Sequence, residues 1–406
     1  MNPRLQLVVA VALAIIGAGR PATAQDSIRV GYAISKTGPN VFGAYTLILP
    51  NYQLWVHDVN AAGGLMLSSK GKRLPIEVIE YDDGSTLEGA VKAVERLISE
   101  DKVDFILAPW GTRLNLAVAP SLRRAGYPHL TATSMAPDDS PLEDMTKIWP
   151  SSFWFNGPKT KGPECLLEVL AKLRTAKKIG STVAIINVAD KFGIESSALS
   201  REMLRNAEFD IVYDRSYPLG TNQIRPVIQE AAATNPDVFL AFSYPSDTMA
   251  VVEEARNLNF QPKVLYAQVG TAFPAFLKRF GKDAEGIMGA GGWNPDLPAS
   301  KAYRQHHTEV LGKEPDRWAS PLTYASLQML QQAIERVGKI DRPAVVKELQ
   351  TGTFDTIVGS IQLKNNTYLD GWFVGQWQGD EYYGIAPIKA AGAREPIVPK
   401  PAWHRP

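Results

Sequence analysis

From Ile28 onward, short apolar runs alternate with longer stretches in which apolar positions recur at helical spacing. That alternation predicts βαβ units built around parallel sheets. Strands are expected over 28–34, 74–81, 103–109, 129–133, 182–188, 211–217, 238–244, 264–268 and 286–290, and helices over 45–60, 114–125, 195–206, 223–233, 248–258, 300–311 and 324–337. The clearest helix opens at Ser85, with Ser85 and Glu88 as a capping box and Leu87, Ala90, Val91, Val94, Leu97 and Ile98 as one apolar stripe. Nine strands with this many crossovers exceed one compact sheet, and the pattern lapses over 149–163 before resuming at Thr182. Two α/β lobes are therefore expected. Beyond Asp355, runs at 357–363 and 372–377 flank Lys364-Asn365-Asn366-Thr367 and read as two strands about a turn.

The first 24 residues break this pattern. Arg4, an apolar run over 7–19 and Ala22-Thr23-Ala24 read as a secretory signal, with cleavage expected after Ala24. The apolar run is too short to span a hydrocarbon core, which takes ~20 residues. No later segment is long and apolar enough either, so no membrane span is expected. Composition then narrows the function. With 43 Lys+Arg against 42 Asp+Glu, the 406-residue chain carries +1, and loss of Arg4 and Arg20 brings it to about −1. No cationic excess is left to neutralise a phosphate backbone, so nucleic acid is not an expected partner. The single cysteine, Cys165, excludes an intrachain disulfide and any multi-cysteine metal site.

Catalytic and metal-binding motifs are missing. No G-x-S-x-G elbow, P-loop, H-E-x-x-H pair or EF-hand loop occurs. His306 and His307 are adjacent on an expected helix, hence on different faces, and read as exposed polar positions; His129 reads as a core or rim histidine. Asp82-Asp83 before Gly84, and Asp138-Asp139, read as turn formers, and Cys165 as a buried, inert thiol. Neither a metal site nor a cofactor is expected.

In open α/β sheets ligands bind beyond the carboxyl ends of the strands. Those ends carry Trp110-Gly111-Thr112, Thr131 to Ser134, Asp190 to Gly193, Ser243-Tyr244 and Gln268. Small hydroxyls and aromatics dominate. Thr112 or Ser134 beside free N–H groups at a helix start can hold a carboxylate, while Trp110, Phe192 and Tyr244 enclose the rest of a small molecule.

Taken in order along the chain, several stretches resemble the branched-chain amino-acid (Leu/Ile/Val) family of periplasmic substrate-binding proteins for ABC transporters. They are Ile28-Arg29-Val30-Gly31 with Thr37-Gly38-Pro39, Val59-Asn60-Ala61-Ala62-Gly63-Gly64, Tyr81-Asp82-Asp83, Ala117-Val118-Ala119-Pro120, Asn235-Pro236-Asp237-Val238, Tyr324 with its helix, and Gln376-Trp377. The resemblance implies a type I periplasmic-binding fold: an α/β chain of two Rossmann-like lobes joined by three crossover segments. Lobe 1 is expected over 25–149 and 292–360, lobe 2 over 150–291 and 361–392, with a tail over 393–406. The family's ligand contacts fall at Phe42, Gly111, Thr112, Thr133, Ser134, Met135, Phe192, Ser243 or Tyr244, and Gln268, to which the strand-end reading adds Trp110. Two departures matter: Met135 stands where amino-acid binders place a hydroxyl, and Ala267-Gln268-Val269-Gly270 replaces a loop bearing Glu. An α-ammonium would then be buried without an acidic partner, which costs several kcal/mol. The expected ligand is a small carboxylate with an apolar or aromatic body.

The expected function is thus the solute-binding component of an ABC importer, periplasmic, handing its ligand to a membrane permease and ATPase complex. A sensor domain of the same fold feeding a receptor is the alternative. A secreted hydrolase lacks a nucleophile motif.

Overall fold

A computed structural model describes residues 27–137, 141–293, 295–371 and 373–404. The signal segment and Asp138-Asp139 lie outside the described residues. All nine expected strands are present, each with its ends within two residues of expectation.

The strands fall into two groups. In the first, Ile76–Asp82, Ile28–Ile34 and Phe105–Leu107 form a parallel sheet in that order, and His129–Thr131 pairs in parallel with Ser152–Trp154. The second is a seven-stranded sheet in the order Glu381–Ala386, Val374–Gln378, Met288–Ala290, Val264–Ala267, Val238–Phe242, Thr182–Val188, Asp210–Tyr217. Its inner strands are buried along nearly their whole length, because helices cover both faces and no position needs to be polar. The chain passes between the groups three times, over 155–181, near 291–297 and over 362–373. Between the second and third passages, helices Pro298–Leu311 and Ala319–Val337 pack back on Leu49–Ala61 in the first lobe. The expected two-lobed α/β architecture with three crossovers is the one observed.

Several expectations need correction. The helix after Asp83 is capped by Thr86, whose Oγ1 accepts from Gly89 N at 3.0 Å, and spans Leu87–Ser99. Ser85 cannot cap it: its backbone is left-handed (φ 58°) and its hydroxyl donates to Thr37 O. The helix expected over 45–60 is broken into Val41–Gly43, a wider π turn over Ala44–Ile48, and Leu49–Ala61. The strand run at 357–363 does not pair with 372–377. Phe354–Thr356 pairs instead with Gly359–Ile361, and Val374–Gln378 pairs with Glu381–Ala386 about Gly379, whose φ is +66°. Lys364 and Thr367 do close a turn, yet it lies on a passage between lobes rather than between paired strands. Strand Ser152–Trp154 and helix Lys161–Thr175 fall where the pattern shows no clear element.

His307 is buried rather than exposed, its Nδ1 2.7 Å from Lys313 O. Asp82 and Asp83 are turn formers: Asp82 accepts from the amides of Lys36 and Gly84, and Asp83 from Ser35 and Ser85. Burial pushes the Cys165 thiol up to about 11, so it stays unreactive at neutral pH.

The candidate ligand cleft

The loop after Phe105–Leu107 is positioned by a buried relay. Asn115 Nδ2 donates to Pro109 O at 2.7 Å and Gly111 O at 2.9 Å. Its Oδ1 therefore faces His129 Nε2, 2.8 Å away, and must accept from it. That assigns the proton to Nε2, leaving Nδ1 to accept from the Ser152 hydroxyl at 3.1 Å. Full burial lowers the pKa of His129 to about 4, so the ring is neutral and acts as a strut. Below the ordinary value of 6.5 the unfolded chain binds a proton that the folded one refuses, so this contribution to stability is lost as pH falls from about 6.5 to about 4. The full loss is about 3 kcal/mol. Burial pushes Asp247 and Asp316 up to about 6, with the opposite sign, so the test is a difference. The stability deficit of His129→Leu in urea titrations should shrink by about 2 kcal/mol between pH 7 and pH 4.5. A deficit independent of pH would contradict the relay.

Gly111 (φ +87°) turns the chain into helix Thr112–Arg124, which starts without a side-chain cap. Two bonds staple this turn to the next loop: Gly111 N donates to Thr133 Oγ1 at 3.1 Å, and Met135 N to Thr112 Oγ1 at 3.2 Å. Each hydroxyl thus accepts from the backbone and keeps its own hydrogen, which no described group receives. Trp110 packs closely against the first-lobe helix at Gly43, where an added methyl would sit 2.3 Å from the indole. Its Nε1 is buried and unpartnered among the described residues.

The second lobe supplies the facing wall. Phe192 stacks on Tyr244 with centroids 5.1 Å apart and planes 13° apart, and Tyr244 meets Trp110 across the cleft, also at 5.1 Å. Trp110, Gly111, Thr112, Thr133, Phe192 and Tyr244 line one narrow cavity of about 270 Å3, counting its mouth, together with Asn156, Val269 and Trp318. Met135 and Gln268 line an adjoining cavity of about 400 Å3 that shares Asn156, Phe192 and Trp318. Gln268 Oε1 is buried and also unpartnered.

Three expected site residues line neither cavity. Ser134 Oγ bonds Met135 O at 3.0 Å, and Ser243 Oγ bonds Thr248 at 2.6 Å inside the second lobe. Phe42 packs edge-on against Phe273 of the opposite lobe, centroids 5.4 Å apart. Conversely, the strand-end reading missed Asn156 and Trp318. Asn156 lies on the first passage between lobes, after a strand the pattern did not reveal, and Trp318 lies in a first-lobe loop just before Ala319–Val337. Asp316 fixes Trp318 by accepting from the amides of Trp318, Ala319 and Ser320 at 2.7, 2.9 and 2.8 Å.

The carboxylate that the Tyr244 hydroxyl reaches is already paired. Asp190 accepts from the Tyr244 hydroxyl at 2.6 Å and lies 3.3 Å from Arg113 Nε of the first lobe. Burial, then the Asp190 carboxylate, holds the Tyr244 phenol well above its ordinary pKa, so it stays a donor. The cavity lined by Trp110 and Tyr244 therefore offers hydrogen-bond donors and π faces, with no free acid among its lining residues.

A family model described as periplasmic binding protein matches residues 27–381. The chain belongs to this family of solute-binding, non-enzymatic proteins. Among curated proteins, it is similar to Leu/Ile/Val-binding protein homolog 7 of Brucella abortus, 22% identical over 410 residues, covering 94% of this chain and 97% of the relative. Among solved structures, the branched-chain amino acid transporter substrate-binding protein LivJ from Streptococcus pneumoniae, in complex with isoleucine, superposes with a TM-score of 0.73 at 18% identity, covering 92% of this chain and all of that one (100%). A solute-binding protein of an ABC transporter from R. palustris, in complex with benzoate, gives 0.72 at 15% identity, covering 93% and 97%. The described residues contain no helix long and apolar enough to cross a membrane.

Proposed function

We propose that this chain is the periplasmic solute-binding component of an ABC importer, and that it carries a small carboxylate with an aromatic or apolar body. The observation that carries this reading is the set of donors at one end of the cleft: the hydroxyls of Thr112 and Thr133 and the uncapped start of Thr112–Arg124. Such donors suit a carboxylate. An α-ammonium would need an acceptor with negative charge, and Asp190 is engaged by Arg113 and Tyr244. Gln268 Oε1 in the adjoining cavity suits a hydroxyl or amide on the far side of the ligand. The relatives in solved structures include both an isoleucine and a benzoate complex, so the fold leaves the choice to the site.

The moving bodies are taken to follow the sheets: a first lobe of residues 27–155 and 298–361, and a second of 156–291 and 374–404, the signal segment being removed after Ala24. Ligand would bridge Thr112 and Thr133 in one lobe and Phe192 and Tyr244 in the other, and so favour the closed form that a permease recognises. A thermal-shift panel of benzoate, hydroxybenzoates, short aliphatic acids and leucine tests the assignment. Aromatic or aliphatic acids should raise the melting temperature by several degrees and leucine should not. A shift with leucine and none with the acids would overturn it.

A further inference from the structure

Away from the cleft, the described residues contain one cluster of side chains with metal-ligand geometry. His57 and Asp58 lie near the end of helix Leu49–Ala61, and His306 lies on Pro298–Leu311, brought alongside by the second passage of the chain. Asp58 Oδ1 is 3.0 Å from His57 Nδ1 and 2.8 Å from His306 Nε2, and the three atoms lie within 4.8 Å of one another. Around a tetrahedral ion with bonds of about 2.0–2.1 Å, neighbouring ligand atoms are roughly 3.3 Å apart. Small side-chain rotations bring the trio to that spacing.

The carboxylate is also held in place from behind. The Tyr324 hydroxyl donates to Asp58 Oδ2, leaving Oδ1 for the two imidazoles. An outer partner of this kind orients a ligating carboxylate. Both imidazoles are about half exposed, at 52% and 43%, which leaves an entry path and room for water in the remaining coordination positions.

We propose that His57, Asp58 and His306 form a surface site for a borderline divalent transition metal such as Zn2+, Ni2+ or Cu2+. Two imidazole nitrogens with one carboxylate oxygen suit these ions, whereas Mg2+ and Ca2+ call for oxygen ligands. Bound metal would tie Leu49–Ala61 to Pro298–Leu311, two helices of the first lobe that come from distant parts of the chain. The site is independent of the cleft and of the ligand carried there.

The test is competition of the untagged full-length exported chain, freed of metal with a chelator, against a chromophoric zinc indicator. We expect one equivalent of Zn2+ at a micromolar dissociation constant, no competition by Mg2+ at 1000-fold higher concentration, and at least 30-fold weaker binding in both His57→Asn and His306→Asn. Circular dichroism of the metal-free variants establishes that they are folded. Binding weaker than about 1 mM in the wild type, or unchanged affinity in both variants, would overturn the assignment.

Discussion

Valine at both 112 and 133 is expected to weaken binding of an aromatic carboxylate at least 100-fold while the protein remains folded. Each threonine hydroxyl accepts one backbone amide, from Met135 N or Gly111 N, and keeps a hydrogen that faces the cavity. A hydrogen bond to a charged group is worth about 1.5–3 kcal/mol, so loss of two removes a factor of 100 or more. Valine matches threonine in shape, and the amides left unpaired cost a further 1–3 kcal/mol each in stability, roughly. The serine variants Thr112→Ser and Thr133→Ser keep the hydroxyls and should bind within a few fold of wild type. Titration calorimetry separates the outcomes, and a double-valine protein that binds as tightly as wild type would place the carboxylate elsewhere.

The second large effect is expected at the contact between lobes. Arg113→Met leaves Asp190 buried with Tyr244 as its remaining partner, and Asp190 exposes only 7% of its side chain. Breaking a fully buried pair costs about 3–5 kcal/mol, but Arg113 is 32% exposed, so solvent reduces the cost to about 1–2 kcal/mol. The loss falls on the closed form alone, because Arg113 and Asp190 stand on different lobes. Ligand affinity should therefore drop about 10-fold, mainly through faster dissociation, with little change in melting temperature without ligand. The double variant Arg113→Met/Asp190→Asn removes the buried charge and should recover most of the affinity. Equal loss in the single and double variants would show that the pair does not hold the lobes together.

Much of this was legible in the sequence because hydrophobic period and strand ends are local signals. The buried run at Thr182–Val188 and the stripe of Leu87–Ser99 fix their own type, and the loops after the strands carry six of the residues that meet in the cavity. Hydroxyl direction was not legible. Ser134 and Ser243 turn to neighbours one and five residues away, whereas Thr112 and Thr133 reach across loops, and only the fold decides which happens. Asn156 and Trp318 escaped because the first lies on a passage between lobes and the second in a loop between two helices, which no strand-end rule reaches. The pairing of Asp190 with Arg113 escaped because it joins two helix starts in separate lobes. The absence of a free acid, read from Met135 and Gln268, gains support from that pair, since Asp190, the carboxylate that the Tyr244 hydroxyl reaches, is already engaged.

The most direct test of a cleft built for a carboxylate without an ammonium is a matched pair of ligands. Leucine and 4-methylpentanoate share a carbon skeleton and a carboxylate and differ in the α-ammonium alone. An unpaired buried charge costs several kcal/mol, so calorimetry should find 4-methylpentanoate bound at least 100-fold more tightly than leucine. Leucine binding more tightly than its deaminated counterpart would contradict the account.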